Sequence, residues 1–293
     1  MTSNSAIPSY NATQTIAVVG ATGQQGGATA RALLSAGAIV RGLTRNVDSD
    51  AAKALAAAGA EMVTANLADP SSVTAAFVGA SHVFAMTTMT GPAGVDGEVE
   101  HGRVIADAAV AAGVSHVVYS SVGGAERHTG IPHFESKRRV EEYLAGLAVH
   151  TTFIRPVFFM ENLLGTSVEG DEVVVRLPFP DGIPLQMVAV DDIGRVAAAV
   201  LLEPASVDGS VEIAGDELTG TQIAEVFGRH AGRPARYEAL PIAVLDGDFD
   251  MKAMFEWFTE SVAYQADREA TRALDPEVMD TAAWLATTNW NKA

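Results

Sequence analysis

The chain has 293 residues, no cysteine, and 36 acidic against 19 Lys and Arg side chains, for a net charge of -17 at neutral pH. That length can bury a sizeable core, and the missing cysteines exclude disulfides, thiolate metal sites and a cysteine nucleophile, so redox chemistry must come from a bound cofactor. The acidity repels nucleic-acid phosphate and anionic lipid, no run of 18 apolar residues is present, the seven histidines lack metal-ligand spacing, and MTSNSAIPSYNAT has no targeting character, so the expectation is a cytoplasmic protein with no membrane, metal or nucleic-acid partner.

Residues 1–13 read as a mobile polar tail. Residues 15–36, TIAVVGATGQQGGATARALLSA, then predict a buried strand, a glycine turn and a helix starting near Gln24. Glycines let the chain turn sharply while its backbone approaches a pyrophosphate, and the helix start adds N–H groups and a positive dipole end. The turn from Gly20 through Thr22, Gly23, Gln24 and Gln25 to Gly26 is therefore the expected phosphate cradle.

The next apolar run, 38–43, predicts a second parallel strand. An NAD site carries Asp or Glu at the end of that strand to bind the ribose 2'-hydroxyl. Here the chain reads Thr44-Arg45-Asn46, and a guanidinium suits a 2'-phosphate. NADP(H) is expected over NAD(H).

Further on, helices are predicted over 50–58, from Asp69-Pro70, over 95–112 and over 132–147. Strands are predicted over 61–66, 82–88, 115–121 and 150–156. Such alternation implies an α/β fold, a doubly wound parallel sheet. Past Pro156 the rhythm changes. Residues 171–190 suggest a hairpin around Pro180-Asp181-Gly182, 190–202 a helix opened by Asp191 and Asp192, 211–214 one more strand, and the last 75 residues a mostly helical lobe. The expected division is a dinucleotide-binding core of 14–157 plus 186–215 and a smaller lobe of 158–185 plus 216–293. In that lobe Met251, Met254, Phe255 and Phe258 form one helical stripe, with Trp257 pointing elsewhere. The stripe suits core packing, the lid of a flat apolar substrate site with Phe255 facing substrate, or a docking surface.

The segments VVGATGQQGG, GLTRN, HVVYSSVGG, HFESKRRVEEYL, IRPVFFMENLL and VAVDDIGRVAAAVLL, in this order, resemble the NmrA-like family of atypical short-chain dehydrogenase/reductases. The resemblance implies a Rossmann core binding NADP(H) and a smaller lobe closing over the nicotinamide. It also implies that Asn66 and Leu67 sit beside the adenine, that Thr87, Thr88 and Met89 line the path to the nicotinamide, and that Pro156, Val157 and Phe158 flank its carboxamide. Phe159, Met160 and Asn162 would face substrate.

Conventional short-chain reductases carry Tyr-x-x-x-Lys on the helix after the fifth strand, where the Lys lowers the Tyr pKa and holds the nicotinamide ribose. This chain has His133-x-x-x-Lys137. Lys137 retains the ribose role. A neighbouring ammonium and an oxidised nicotinamide disfavour imidazolium, so His133 is expected to be a neutral ring that orients or polarises a carbonyl. No catalytic serine is assigned, because Val122 falls at the usual position, next to Ser120 and Ser121. A weak acid favours quinone-like acceptors, which take hydride to give a stabilised phenolate. Two readings follow: an NADPH-dependent oxidoreductase acting on a small aromatic carbonyl or quinone in secondary metabolism, or a catalytically silent NADP(H) sensor that regulates a protein partner.

Overall fold

The computed structural model describes residues 10–260 and 262–290. Residues 1–9 of the expected tail lie outside them. Tyr10 packs edge-on against His82, ring centroids 5.7 Å apart, and its hydroxyl donates to the Gln14 carbonyl.

From the N-terminus, strands and helices alternate as β1 (Thr15–Val18), α1 (Gln24–Ser35), β2 (Ile39–Thr44), α2 (Asp50–Ala57), β3 (Glu61–Thr64) and α3 (Pro70–Phe77). Then come β4 (Ala80–Met86), α4 (Gly94–Ala111), β5 (His116–Ser120), α5 (Pro132–Ala145) and β6 (His150–Pro156). Local chemistry sets several of these boundaries. Ser49 and Asp69 cap α2 and α3 by accepting backbone N–H bonds, and Pro70 occupies the first turn of α3, where a missing donor costs nothing.

These strands pair in parallel in the order β6-β5-β4-β1-β2-β3, with β11 (Ser210–Ile213) on the β6 edge. The order reverses between β1 and β4, so the ligand crevice of such a sheet opens at the carboxyl ends of those two strands.

Two compact units make up the described chain. The first runs up to Ser121 and includes Ser136–Arg155 and Ile193–Val211; the second holds Val122–Glu135, Pro156–Asp192 and the chain from Glu212. The first unit buries Val83, Ala85, Val117 and Tyr119 of the sheet against Phe77, Ile105, Val140 and Leu144 of the helices.

In the second unit, β7 (Phe158–Phe159), β10 (Leu185–Val188) and β12 (Asp216–Leu218) form one three-stranded sheet. Another is built from β8 (Ser167–Glu169), β9 (Glu172–Leu177) and β13 (Ala235–Ala239). The hairpin expected over 171–190 is therefore absent: β9 pairs with β8 and β13, while β10 pairs with β7 and β12. Pro178, Pro180 and Pro184 lack the N–H groups that a ladder between β9 and β10 would need. Asp181 is instead tied to Thr221, accepting its backbone N–H at 2.9 Å.

The helix over 190–202 forms as α6 (Val190–Leu202), opened by Asp191 and Asp192 as expected. The C-terminal segment contains α7 (Gly220–Ala231), α8 (Phe249–Glu260), α9 (Arg268–Leu274) and α10 (Thr281–Thr287), together with β13, a strand not anticipated there. The α8 stripe serves the core. Met254, Phe255 and Phe258 are buried, and Trp257 also packs inward, edge-on to Phe134 at 5.3 Å.

Candidate functional site

The glycine turn joins the two strands that flank β1. Val19 donates to the Phe84 carbonyl of β4 at 3.0 Å and Ala21 to the Leu43 carbonyl of β2 at 3.1 Å. Gly20 has φ +66°, which favours glycine, and its carbonyl accepts the Gly23 N–H at 2.8 Å. A Cβ on Gly26 would lie 2.3 Å from the Gly20 oxygen, so α1 can start against the turn only without a side chain there. Gly23 is less crowded, its added Cβ meeting only the Gly20 oxygen at 3.3 Å. Chain packing therefore requires Gly26, and Gly23 keeps the rim of the turn bare.

Thr22 and Thr44 share a hydroxyl contact at 3.2 Å, which ties the turn to the end of β2. Beyond it Arg45 is exposed, with no ion-pair partner among the described residues. Gln25 accepts the Ser120 hydroxyl at 2.6 Å, so its side-chain oxygen braces the turn against β5. After β3, the Asn66 side chain accepts the Ala68 N–H at 3.1 Å. Leu67, Ala68 and Pro70 face Gly97, His101 and Val104 of α4 across a cavity of about 430 Å³. At the end of β4, Thr88 is exposed and Met89 half-buried, whereas Thr87 turns its side chain inward.

Lys137 is held by a buried network that the sequence reading did not include. Its ammonium lies 3.0 Å from Glu98 Oε1 and donates to the Thr87 carbonyl at 2.6 Å. Glu98, only 1% exposed, also accepts the hydroxyls of Ser136 at 2.5 Å and Thr87 at 3.1 Å. Tyr119 shares a 2.8 Å hydroxyl contact with Thr87, and burial together with the Glu98 carboxylate pushes its phenol well above the ordinary range. The cause is a close helix crossing. A Cβ on Gly102 of α4 would lie 2.4 Å from the Val140 side chain of α5. One turn back on each helix, that crossing sets Glu98 against Ser136 and Lys137. A carboxylate on the apolar face of α4, in line with Gly102 and Ile105, is the sequence signal that could have found it.

His133, in the first turn of α5, pairs with Asp250 of α8. Nδ1 lies 2.7 Å from Asp250 Oδ2, and the His133 backbone N–H donates to Oδ1 at 2.8 Å. Burial works against the Asp250 charge, yet bonding to His133 holds its carboxyl below the ordinary value. The neighbouring Phe134 ring stands edge-on at 4.6 Å.

Of the other expected site residues, Pro156, Val157 and Phe158 are buried and Phe255 packs on Phe158 and Phe258. Phe159 is half-buried, Met160 buried and Asn162 exposed. Among the described residues no group of His, Asp and Glu is arranged to hold a metal, and no helix is long and apolar enough to cross a membrane.

A parallel sheet with a glycine turn after β1 and the strand reversal beside it defines the class of doubly wound, dinucleotide-binding folds. The chain belongs to the NmrA-like family, whose model matches residues 12–290. It is 32% identical to the NmrA-like family domain-containing oxidoreductase FrzB of Cladobotryum sp., over 93% of this chain and 90% of that protein. It is 30% identical to an NAD(P)H azoreductase of Xenophilus azovorans, over 78% and 77% of the two chains. Among solved structures, NmrA, a negative transcriptional regulator in complex with NAD, superposes with a TM-score of 0.81 at 22% identity over 94% of this chain and 95% of its own. The NADPH-dependent quinone oxidoreductase QOR2 of Escherichia coli gives 0.77 at 24% identity, over 92% and 98%.

Proposed function

We propose that this protein is a reductase that uses NADPH in preference to NADH and passes hydride to a small aromatic carbonyl or quinone. The observation that carries the reading is the turn after β1. Its rim is bare at Gly23, α1 begins against it at Gly26, and the exposed Arg45 stands at the end of the neighbouring strand where an NAD site carries an acid. These residues fit a dinucleotide: the turn and the start of α1 (Gly20, Thr22, Gly23, Gln24, Gln25 and Gly26) would hold the pyrophosphate, and Arg45 a 2'-phosphate. The cavity lined by Leu67 suits an adenine, and Asn66, the residue before Leu67, would sit beside it.

When bound, the dinucleotide supplies the hydride. Lys137 serves by position. An ammonium has three donors; Glu98 and the Thr87 carbonyl engage it at short range, the Thr87 hydroxyl only at 3.4 Å, and a ribose hydroxyl would take the place of that long contact. Thr88 and Met89 would line the approach to the nicotinamide and Pro156, Val157 and Phe158 its carboxamide, while His133, Phe159 and Asn162 would face the acceptor; Met160, expected to face it as well, is fully enclosed in the core of the second unit. The Glu98 carboxylate fixes where the positive charge of Lys137 sits before any ligand arrives, a form of preorganisation. The azoreductase and quinone oxidoreductase among the relatives support an aromatic acceptor. Anaerobic NADPH oxidation against a panel of quinones, aldehydes and ketones tests the proposal. Turnover with at least one acceptor is expected. Silence across the panel, with tight and unequal affinities for NADP+ and NADPH, would replace it with a redox sensor.

A further inference from the structure

The Lys137 ammonium sits at the carboxyl end of β4, where the crevice of the sheet opens. It donates to the carbonyl of Thr87, the residue after that strand, and lies 5.4 Å from the centroid of the Tyr119 ring on β5. Among the described residues, Glu98 is the carboxylate that meets it at ion-pair distance. Tyr119 adds no second anion, since burial and Glu98 both hold its phenol well above the ordinary range. Glu141, the buried acid of α5, is engaged by Arg155 of β6 through two bonds, at 3.0 and 2.7 Å. Each of the two cations therefore has its own counter-charge. With side-chain exposures of 11% and 1%, Lys137 and Glu98 are poorly screened by water, so the balance between them is felt by whatever charge lies next to the ammonium.

We propose that Glu98 sets the relative affinity of this protein for the oxidised and reduced cofactor, by cancelling the Lys137 charge that would otherwise repel NADP+. The inference rests on the reading of Lys137 as the ribose ligand of NADP(H), and Glu98 is a positioning residue that acts through the lysine. The nicotinamide ring is cationic in NADP+ and neutral in NADPH, whereas the ribose hydroxyls are the same in both. A ribose bond to Lys137 therefore favours the two forms equally, and the net charge beside the ring separates them. An uncompensated ammonium disfavours NADP+; an uncompensated carboxylate favours it. With both in place the pair is a dipole of no net charge, and the lysine can hold the ribose without excluding the oxidised ring.

The test is calorimetric titration of NADP+ and NADPH into wild type, Glu98→Gln, Glu98→Asp, Lys137→Met and the double variant Glu98→Gln/Lys137→Met. The quantity read is the ratio of the NADP+ Kd to the NADPH Kd. A destabilised variant loses the same fraction of competent protein for both ligands, so the ratio cancels a purely structural loss. It also cancels the ribose bond lost in Lys137→Met. Glu98→Gln should raise the ratio roughly fivefold or more and Lys137→Met should lower it by a similar factor. Glu98→Asp, which keeps the charge, and the double variant, which removes both charges, should stay within about twofold of wild type. Should Glu98→Gln not fold, the double variant and Lys137→Met carry the comparison, and the ratio should rise from the second to the first. Ratios unchanged across the series, shifts of the same sign in Glu98→Gln and Lys137→Met, or a Glu98→Asp shift as large as that of Glu98→Gln would overturn the charge balance and leave the cofactor reading standing. Wild type that binds neither form would overturn both.

Discussion

Arg45 reaches solvent from the end of β2 with no carboxylate paired to it among the described residues, in a chain that carries nearly twice as many acids as bases. Under the NADPH proposal, Arg45→Ala should weaken NADP(H) by about 2 kcal/mol, the loss of a charge-assisted bond, and leave NAD(H) nearly unchanged. Calorimetric titration of both cofactors checks this, and equal losses would remove Arg45 from 2'-phosphate recognition. At this scale the legible residues were those in local motifs. Gly20, Gly23, Gly26, Arg45 and Lys137 could be picked out because strand, turn and helix periodicity place each within a short segment. Asp250 could not, because it meets His133 across 117 residues of chain and carries no local pattern that separates it from any other acid in a helix's first turn.

Between elements, the α4–α5 crossing decides the setting of Lys137. Gly102 admits Val140, and the resulting approach buries Glu98 against the ammonium, with side-chain exposures of 1% and 11%. Removing one member of a buried ion pair leaves the other charge uncompensated. Glu98→Gln should therefore destabilise the protein by about 3 kcal/mol, read as a lower urea midpoint with an unchanged slope. Adding Lys137→Met should recover part of that loss, and a double-mutant cycle showing no coupling would mean that the pair contributes nothing. Element boundaries in the first unit followed from caps and periodicity, and β6 falls where the pattern put it, His150–Pro156. The 171–190 hairpin failed for a reason visible in the same residues. Three prolines deny it a ladder, a stronger signal than the Pro-Asp-Gly turn that suggested it.

Across the whole molecule, acid stability has a specific source. His82, His116 and His150 stand in register on β4, β5 and β6, with neighbouring ring centroids 5.7 and 4.7 Å apart. His116 donates to or accepts from Thr152 at 2.9 Å. Burial first, then His150 and His82, depress His116 to about 3, and burial also lowers His150 against the opposing charge of Asp208. The folded state therefore binds fewer protons than the unfolded state below the ordinary histidine value of 6.5. The stability present above that pH is lost as pH falls from about 6.5 toward 3, at up to about 1.4 kcal/mol per pH unit for His116 alone. Denaturation midpoints measured from pH 8 to pH 4.5 should fall steadily, and His116→Gln should flatten the slope. An unchanged slope would show that His116 is not the group responsible.

By itself the sequence determined the doubly wound sheet, the glycine turn and the lysine on α5, because each rests on periodicity or on backbone freedom within about 30 residues. Only the tertiary structure decided that Lys137 is pinned by Glu98, that His133 carries an aspartate, and that three histidines share one row of the sheet. Those pairings depend on which helices cross and which strands lie in register, and side chains distant in sequence have no local chemistry that announces their neighbours.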